Sequence, residues 1–305
     1  MQRFQTMPRR ARRTRLSAAV ATIIAGCAFA PMADAVELTT GNPDMTVRWD
    51  NQVRYAIGVL VLLPAVLLAA RPRFAARDVA PIALLGIVQF GVLIALLNYG
   101  LRFIPSARAA VIFATVPLLA MLLAVALGHE RLNAAKTAGV LLTIAGVALA
   151  LGEKAFRHGD PHGWLGEAAA FGAAVSGAVC SVLYRPYVRR YPTVPISALA
   201  MVAAVAFLAA LAAHEGFFAG WPHLTGGGWA AVLFIGVSSG VGYFLWLWAL
   251  GHAPATEVTV FLALSPFTAA LLGALLLAEP ITLTATGGLV CVAVGLWLAH
   301  RAEAG

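Results

Sequence analysis

The chain has 305 residues, 61% of them hydrophobic and 11% charged, with mean hydropathy +0.86. A soluble domain uses roughly 45–50% apolar and about 25% charged residues, so this composition excludes one and predicts a polytopic membrane protein. The net charge of +8 does not point to nucleic acid: Arg3, Arg9, Arg10, Arg12, Arg13 and Arg15 lie in the first fifteen residues, leaving 15 basic against 13 acidic side chains.

That arginine-rich start precedes an apolar run, Leu16 to Ala30, and then Ala33-Asp34-Ala35, a small-x-small pattern of the kind cut in export signals. Three readings of residues 1–35 stay open: a signal peptide cleaved after Ala35, an uncleaved and atypical first helix, or a lipoprotein signal with Cys27 as the modified residue. Residues 36–54 are polar and turn-rich and are expected to lie outside the cytoplasm.

Nine apolar segments follow, at about 55–70, 81–100, 106–128, 134–152, 163–185, 195–214, 227–249, 255–277 and 281–300, most of them near the roughly 20 residues a spanning helix needs. Arg71-Pro72, Ile104-Pro105, Gly159-Asp160-Pro161, Tyr191-Pro192, Ala253-Pro254 and Glu279-Pro280 punctuate them. Arg71, Arg73, Arg77, Arg131, Lys136, Arg185, Arg189, Arg190 and Arg301 fall on one side, with Lys154 and Arg157 opposite. The positive-inside rule therefore places both termini in the cytoplasm, in a multi-pass protein of the inner (plasma) membrane.

Residues Gln89 to Ala150 repeat without a gap 149 positions later: Gly91 falls on Gly240, Pro105 on Pro254, Pro117 on Pro266, Glu130 on Glu279, Gly139 on Gly288 and Gly146 on Gly295. A full unit of five helices, an odd number, forces the two copies into opposite orientations, as in many secondary transporters. The expected fold is all-α, two inverted five-helix repeats. The first repeat takes residues 55–152 (four helices plus the signal-like segment), and the second takes 153–305.

The strings Asn98-Tyr99-Gly100-Leu101-Arg102-Phe103-Ile104-Pro105-Ser106-Ala107-Arg108-Ala109-Ala110, Gly128-His129-Glu130-Arg131-Leu132, Gly242-Tyr243-Phe244-Leu245-Trp246-Leu247-Trp248-Ala249-Leu250, Leu264-Ser265-Pro266 and Ala278-Glu279-Pro280-Ile281 resemble the two-repeat, EamA-type members of the drug/metabolite transporter superfamily. The resemblance runs from about Arg54 to Ala299. It implies ten helices in two inverted halves around a central cavity, and export of small metabolites. Nothing in Leu16 to Ala30 matches the tryptophan and small polar residues usual in the family's first helix. The alternative is therefore a non-transporting or defective membrane protein made by fusing a leader to a transporter gene.

Polar groups in lipid are costly, so they mark candidate sites. Ser239, Tyr243 and Trp246 stand at i, i+4 and i+7 on one helix face. They read either as a wall offering a hydroxyl, a phenol and an indole to an amphipathic, amino-acid-like solute, or as a packed interface. The repeat maps this face onto Phe90, Ile94 and Leu97, with Asn98 beside it as a further solute contact or an interhelical bridge. Arg108 and Glu257 are equivalent positions, expected at opposite mouths as gates, Glu257 also as a proton-coupling site, or else as solvated helix ends; Glu167 reads as a solvated end too. Glu130 and Glu279 are expected to favour the N-terminus of the helix that each precedes. Gly139 and Gly146, with Gly288 and Gly295, give small-residue faces for helix packing or a dimer contact. No acid pair, metal spacing, phosphate loop or cysteine pairing is visible, so neither an enzyme nor a cofactor or metal is expected. The expected partners are a small-molecule solute and the bilayer, with a homodimer as a further candidate.

Overall fold

A computed structural model describes residues 74–155, 163–214, 226–264 and 283–301, with Ile57, Leu60 and Phe267. The signal-like segment 1–35, the polar segment 36–54, most of the span at 55–70, and Glu279 lie outside the described residues. Among the described residues the regular elements are all helices, without a strand, and five helices are long and apolar enough to cross a membrane.

The first described helix, α1, runs Ala76–Gly100, with a π-helical segment at Val88–Val92. Then come α2 (Ser106–Phe113), α3 (Val116–Ala126), α4 (Ala134–Ala155), α5 (Gly163–Leu183), α6 (Arg185–Arg190), α7 (Thr193–His214), α8 (Gly226–His252), α9 (Ala255–Val260) with a 3-10 turn at Phe261–Leu264, and α10 (Leu283–Arg301).

Two spans expected to be continuous are interrupted, at equivalent places. The helix expected over 106–128 breaks at Ala114-Thr115, and the one expected over 255–277 leaves α geometry at Phe261. The cause is in the sequence: Pro117 and Pro266, 149 residues apart, lack an N–H, so the carbonyl four residues earlier loses its helical partner. At the first break Thr115 donates its hydroxyl to the Ile112 carbonyl at 2.7 Å. The helix expected at 163–185 ends close to its expected place, at Leu183, and beyond the break before Pro186 α6 continues to Arg190. At its far end α3 stops at Gly128, whose φ of +70° is the left-handed conformation that glycine supplies after a helix.

Close approach of backbones holds the bundle together. A Cβ on Gly100 would sit 2.9 Å from the Gly166 carbonyl oxygen, so the end of α1 lies against the start of α5. The contact of α4 with α10 is antiparallel. A Cβ on Gly139 would lie 2.6 Å from the Gly295 oxygen, and one on Gly146 2.7 Å from the Gly288 oxygen; the reverse distances are 2.6 and 2.5 Å. Adding 149 turns Gly139 into Gly288 and Gly146 into Gly295, so the contact maps onto itself. The glycine faces are therefore spent within the chain, not on a partner. Exposed apolar side chains such as Leu84, Leu122, Leu141, Val202 and Trp297 cover the outside, as a lipid-facing surface requires.

One buried cluster draws from both halves. It joins Ile82, Leu85 and Phe90 of α1 and Val116 and Ala120 of α3 to Cys180 of α5, Met201 of α7, and Tyr243, Trp246 and Leu250 of α8, with Tyr184 between α5 and α6.

Candidate functional site

The midpoint of that cluster is aromatic. Ser239, Tyr243 and Trp246 all lie on the buried side of α8, as their one-face spacing requires. The Tyr243 ring meets Phe90 edge to face, with centroids 4.4 Å apart at 74°. Phe90 sits in the π-helical segment, where an added residue per turn rotates the side chains that follow; such segments are frequent at functional sites. On the other side Tyr243 meets Tyr184, with centroids 6.2 Å apart at 73°. One turn before Tyr184, the Cys180 thiol donates to the Leu85 carbonyl at 3.6 Å and ties α5 to α1.

The hydroxyls of Tyr184 and Tyr243 are both buried and face each other, but neither makes a hydrogen bond of standard geometry. Such a group costs about 1–3 kcal/mol, so two in one cluster demand an explanation. Tyr184 was not singled out from the sequence. Its signal was available: it follows Gly177 and Cys180 along the small-residue face of a long apolar helix, but it reads equally as an interfacial tyrosine at a helix end.

Asn98 stands apart. It is half-buried on α1, two turns beyond Phe90, or about 12 Å along the axis at 1.5 Å per residue. Trp248 stacks on His252 at 4.2 Å near the end of α8, also away from the cluster.

Polar contacts close the bundle at each end. At the end shared by the start of α2 and the start of α5, Arg108 donates to Glu167 at 3.1 Å, their side chains 20% and 49% exposed. At the opposite end Lys136 of α4 pairs with Glu130 at 2.6 Å, and these side chains are only 3% and 5% exposed. Glu130 also accepts from the Thr256 hydroxyl at 2.8 Å and from its backbone N–H at 3.5 Å. Glu257, next in sequence, is buried at this end, not a solvated helix terminus. The expectation for Glu130 is thus corrected. Its carboxylate serves the start of α9 in the other half, while Asn133 takes the capping role at α4 by accepting from the Ala135 N–H at 2.9 Å. Also at this end Asp78 accepts from Tyr191 at 2.6 Å and Arg190 at 3.1 Å, joining α1 to α6.

Among the described residues no group of three or more His, Cys, Asp or Glu side chains could hold a metal ion. The cluster offers hydrogen bonds, aromatic faces and apolar walls.

A model of the EamA-like transporter family matches residues 16–152 and again 164–301. The first match begins upstream of Arg54, within the signal-like segment. An uncharacterized transporter from Archaeoglobus fulgidus is 25% identical over 251 residues, covering 82% of this chain and 87% of the relative. A probable terminal-alkyne amino-acid exporter from Streptantibioticus cattleyicolor is 29% identical over 239 residues, 77% of each chain. A solved structure, described only as a crystal structure of a protein, has a TM-score of 0.78 at 23% identity and covers 93% of this chain and 98% of its own. That likeness establishes the fold.

Proposed function

The chain belongs to the EamA-like transporter family, and from that premise we propose that it exports small amphipathic, amino-acid-like solutes across the inner membrane by alternating access. At the coarser level it is a multi-pass membrane transporter of small solutes and not an enzyme.

The observation that carries the proposal is the aromatic cluster made jointly by α1 of the first repeat and α5 and α8 of the second, with a polar closure at either end. The self-complementary antiparallel contact of α4 with α10 supports inverted repeats, since only an axis perpendicular to the helices relates such a pair to itself. Helices interrupted before Pro117 and Pro266 accord with that architecture, in which broken helices line the solute path. The first family match starts at residue 16 and the second at residue 164, near the start of α5, and on that footing we read the apolar run Leu16 to Ala30 as an uncleaved first helix.

In this reading Ser239, Tyr243 and Trp246 contact the solute and Asn98 lies along the path. Arg108 with Glu167 closes the outer mouth. Glu130, Lys136 and Thr256, beside Glu257, close the cytoplasmic one. The related amino-acid exporter supports the solute class.

Solute counterflow in proteoliposomes, across a panel of amino acids and their uncharged analogues, tests the proposal. At least one solute should exchange faster than in protein-free liposomes, and Trp246→Ala should lower that rate tenfold or more. A full-length chain that exchanges nothing in the panel would contradict it.

A further inference from the structure

Tyr184 and Tyr243 are each 1% exposed; their phenol hydroxyls face each other across the cluster, yet neither makes a hydrogen bond of standard geometry. Phenylalanine would fill the same space and keep the edge-to-face contacts with Phe90 and between the two rings, without the cost of an unpaired hydroxyl. Packing alone therefore does not account for two tyrosines here. They come from different elements, the α5–α6 junction and α8, and both join the buried cluster that also holds Phe90 of the first half.

A phenol is a better donor than acceptor, because its oxygen lone pair is delocalised into the ring while its O–H is comparatively acidic. Two such donors in one apolar surround suit an oxygen that can accept twice. We propose that Tyr184 and Tyr243 form a paired-phenol subsite, which donates to an acceptor oxygen of the transported solute and selects for solutes that carry one. This inference rests on the reading of the cluster as the solute site. A carboxylate, a carbonyl and a hydroxyl share the required chemistry. Charged acceptors receive stronger hydrogen bonds, so a carboxylate is favoured if it arrives with its own counter-charge, as in a zwitterion.

The test uses the purified full-length protein and three probes with the same branched apolar body and the same ammonium: leucine (carboxylate), leucinol (hydroxyl) and isoamylamine (no oxygen). Affinity is read from ligand-induced shifts in thermal unfolding, and transport from proteoliposomes. Leucine or leucinol should bind at least tenfold more tightly than isoamylamine; which of the two binds better distinguishes the ionic from the neutral acceptor. Tyr184→Phe and Tyr243→Phe should each reduce that preference about threefold to tenfold, and the double variant should abolish it. Without ligand, both variants should unfold at or above the parent temperature, because each loses a buried hydroxyl that makes no standard hydrogen bond; a clear fall would show that the hydroxyls are already bonded within the protein and would overturn the subsite.

A double variant that keeps the oxygen preference overturns the subsite, and so does a parent that binds none of the three probes. Transport that continues with a preference indifferent to both tyrosines overturns the subsite and leaves the transport reading standing. Tyrosine-dependent binding without any transport overturns the transport reading and leaves the subsite standing.

Discussion

Glu130 and Lys136 form a 2.6 Å ion pair withdrawn from solvent, and the same carboxylate accepts the Thr256 hydroxyl from the other half of the molecule. Buried charges are costly to desolvate, and removing one partner typically costs about 3–5 kcal/mol while removing both costs far less. Lys136→Met should therefore destabilise the protein strongly. Lys136→Met combined with Glu130→Gln should recover much of the loss in thermal unfolding.

Thr256→Val keeps the shape of the side chain and removes the hydroxyl that links the halves. A loss of about 1.5–3 kcal/mol is expected, the range for a hydrogen bond to a charged group. If the contact is a closure of one mouth, solute exchange should also lose coupling and give a measurable leak. Unfolding and counterflow measured on the same preparation separate the two effects.

The pair Arg108 and Glu167 should behave differently. At 3.1 Å but with Glu167 half exposed, it belongs to the class of ion pairs worth about 0–1 kcal/mol. Arg108→Gln should leave the unfolding temperature nearly unchanged while altering exchange rate. A large destabilisation would show that this end is more tightly closed than the pair suggests.

Gly146 and Gly288 pack backbone on backbone, with no space for a side chain. Gly288→Leu should force α4 and α10 apart and cost at least the 1–3 kcal/mol typical of overpacking. The check is the fraction of monodisperse protein recovered in detergent. Gly128→Ala should cost about 1 kcal/mol, but for another reason: it strains a left-handed backbone in open space.

The repeat and the glycine faces were legible in the sequence because a 149-residue offset keeps Gly139, Gly146, Gly288 and Gly295 in register whatever surrounds them. That Ser239, Tyr243 and Trp246 share one face follows from helical spacing alone; that this face is the buried one is seen only in the structure. The breaks before Pro117 and Pro266 were not anticipated, since a proline within an apolar run signals a kink as readily as a stop. Tyr184 was missed because it needs Tyr243 beside it, and that adjacency is long-range: 59 positions separate the two. Glu130 was assigned to the wrong helix for a similar reason. Its nearest helix start in sequence is α4, yet Asn133 already caps that helix, and the free reach of a glutamate carries the carboxylate to Thr256.

The central claim is that one buried site is reached in turn from the two sides of the membrane. Ser239→Cys, in a full-length chain with Cys27, Cys180 and Cys291 replaced by serine, places a single thiol there. Membrane-impermeant thiol reagent is applied to oriented vesicles from one side at a time. The account predicts labelling from both sides, slowed from both by a transported solute. Labelling from one side alone, unaffected by any solute the protein exchanges, would contradict it.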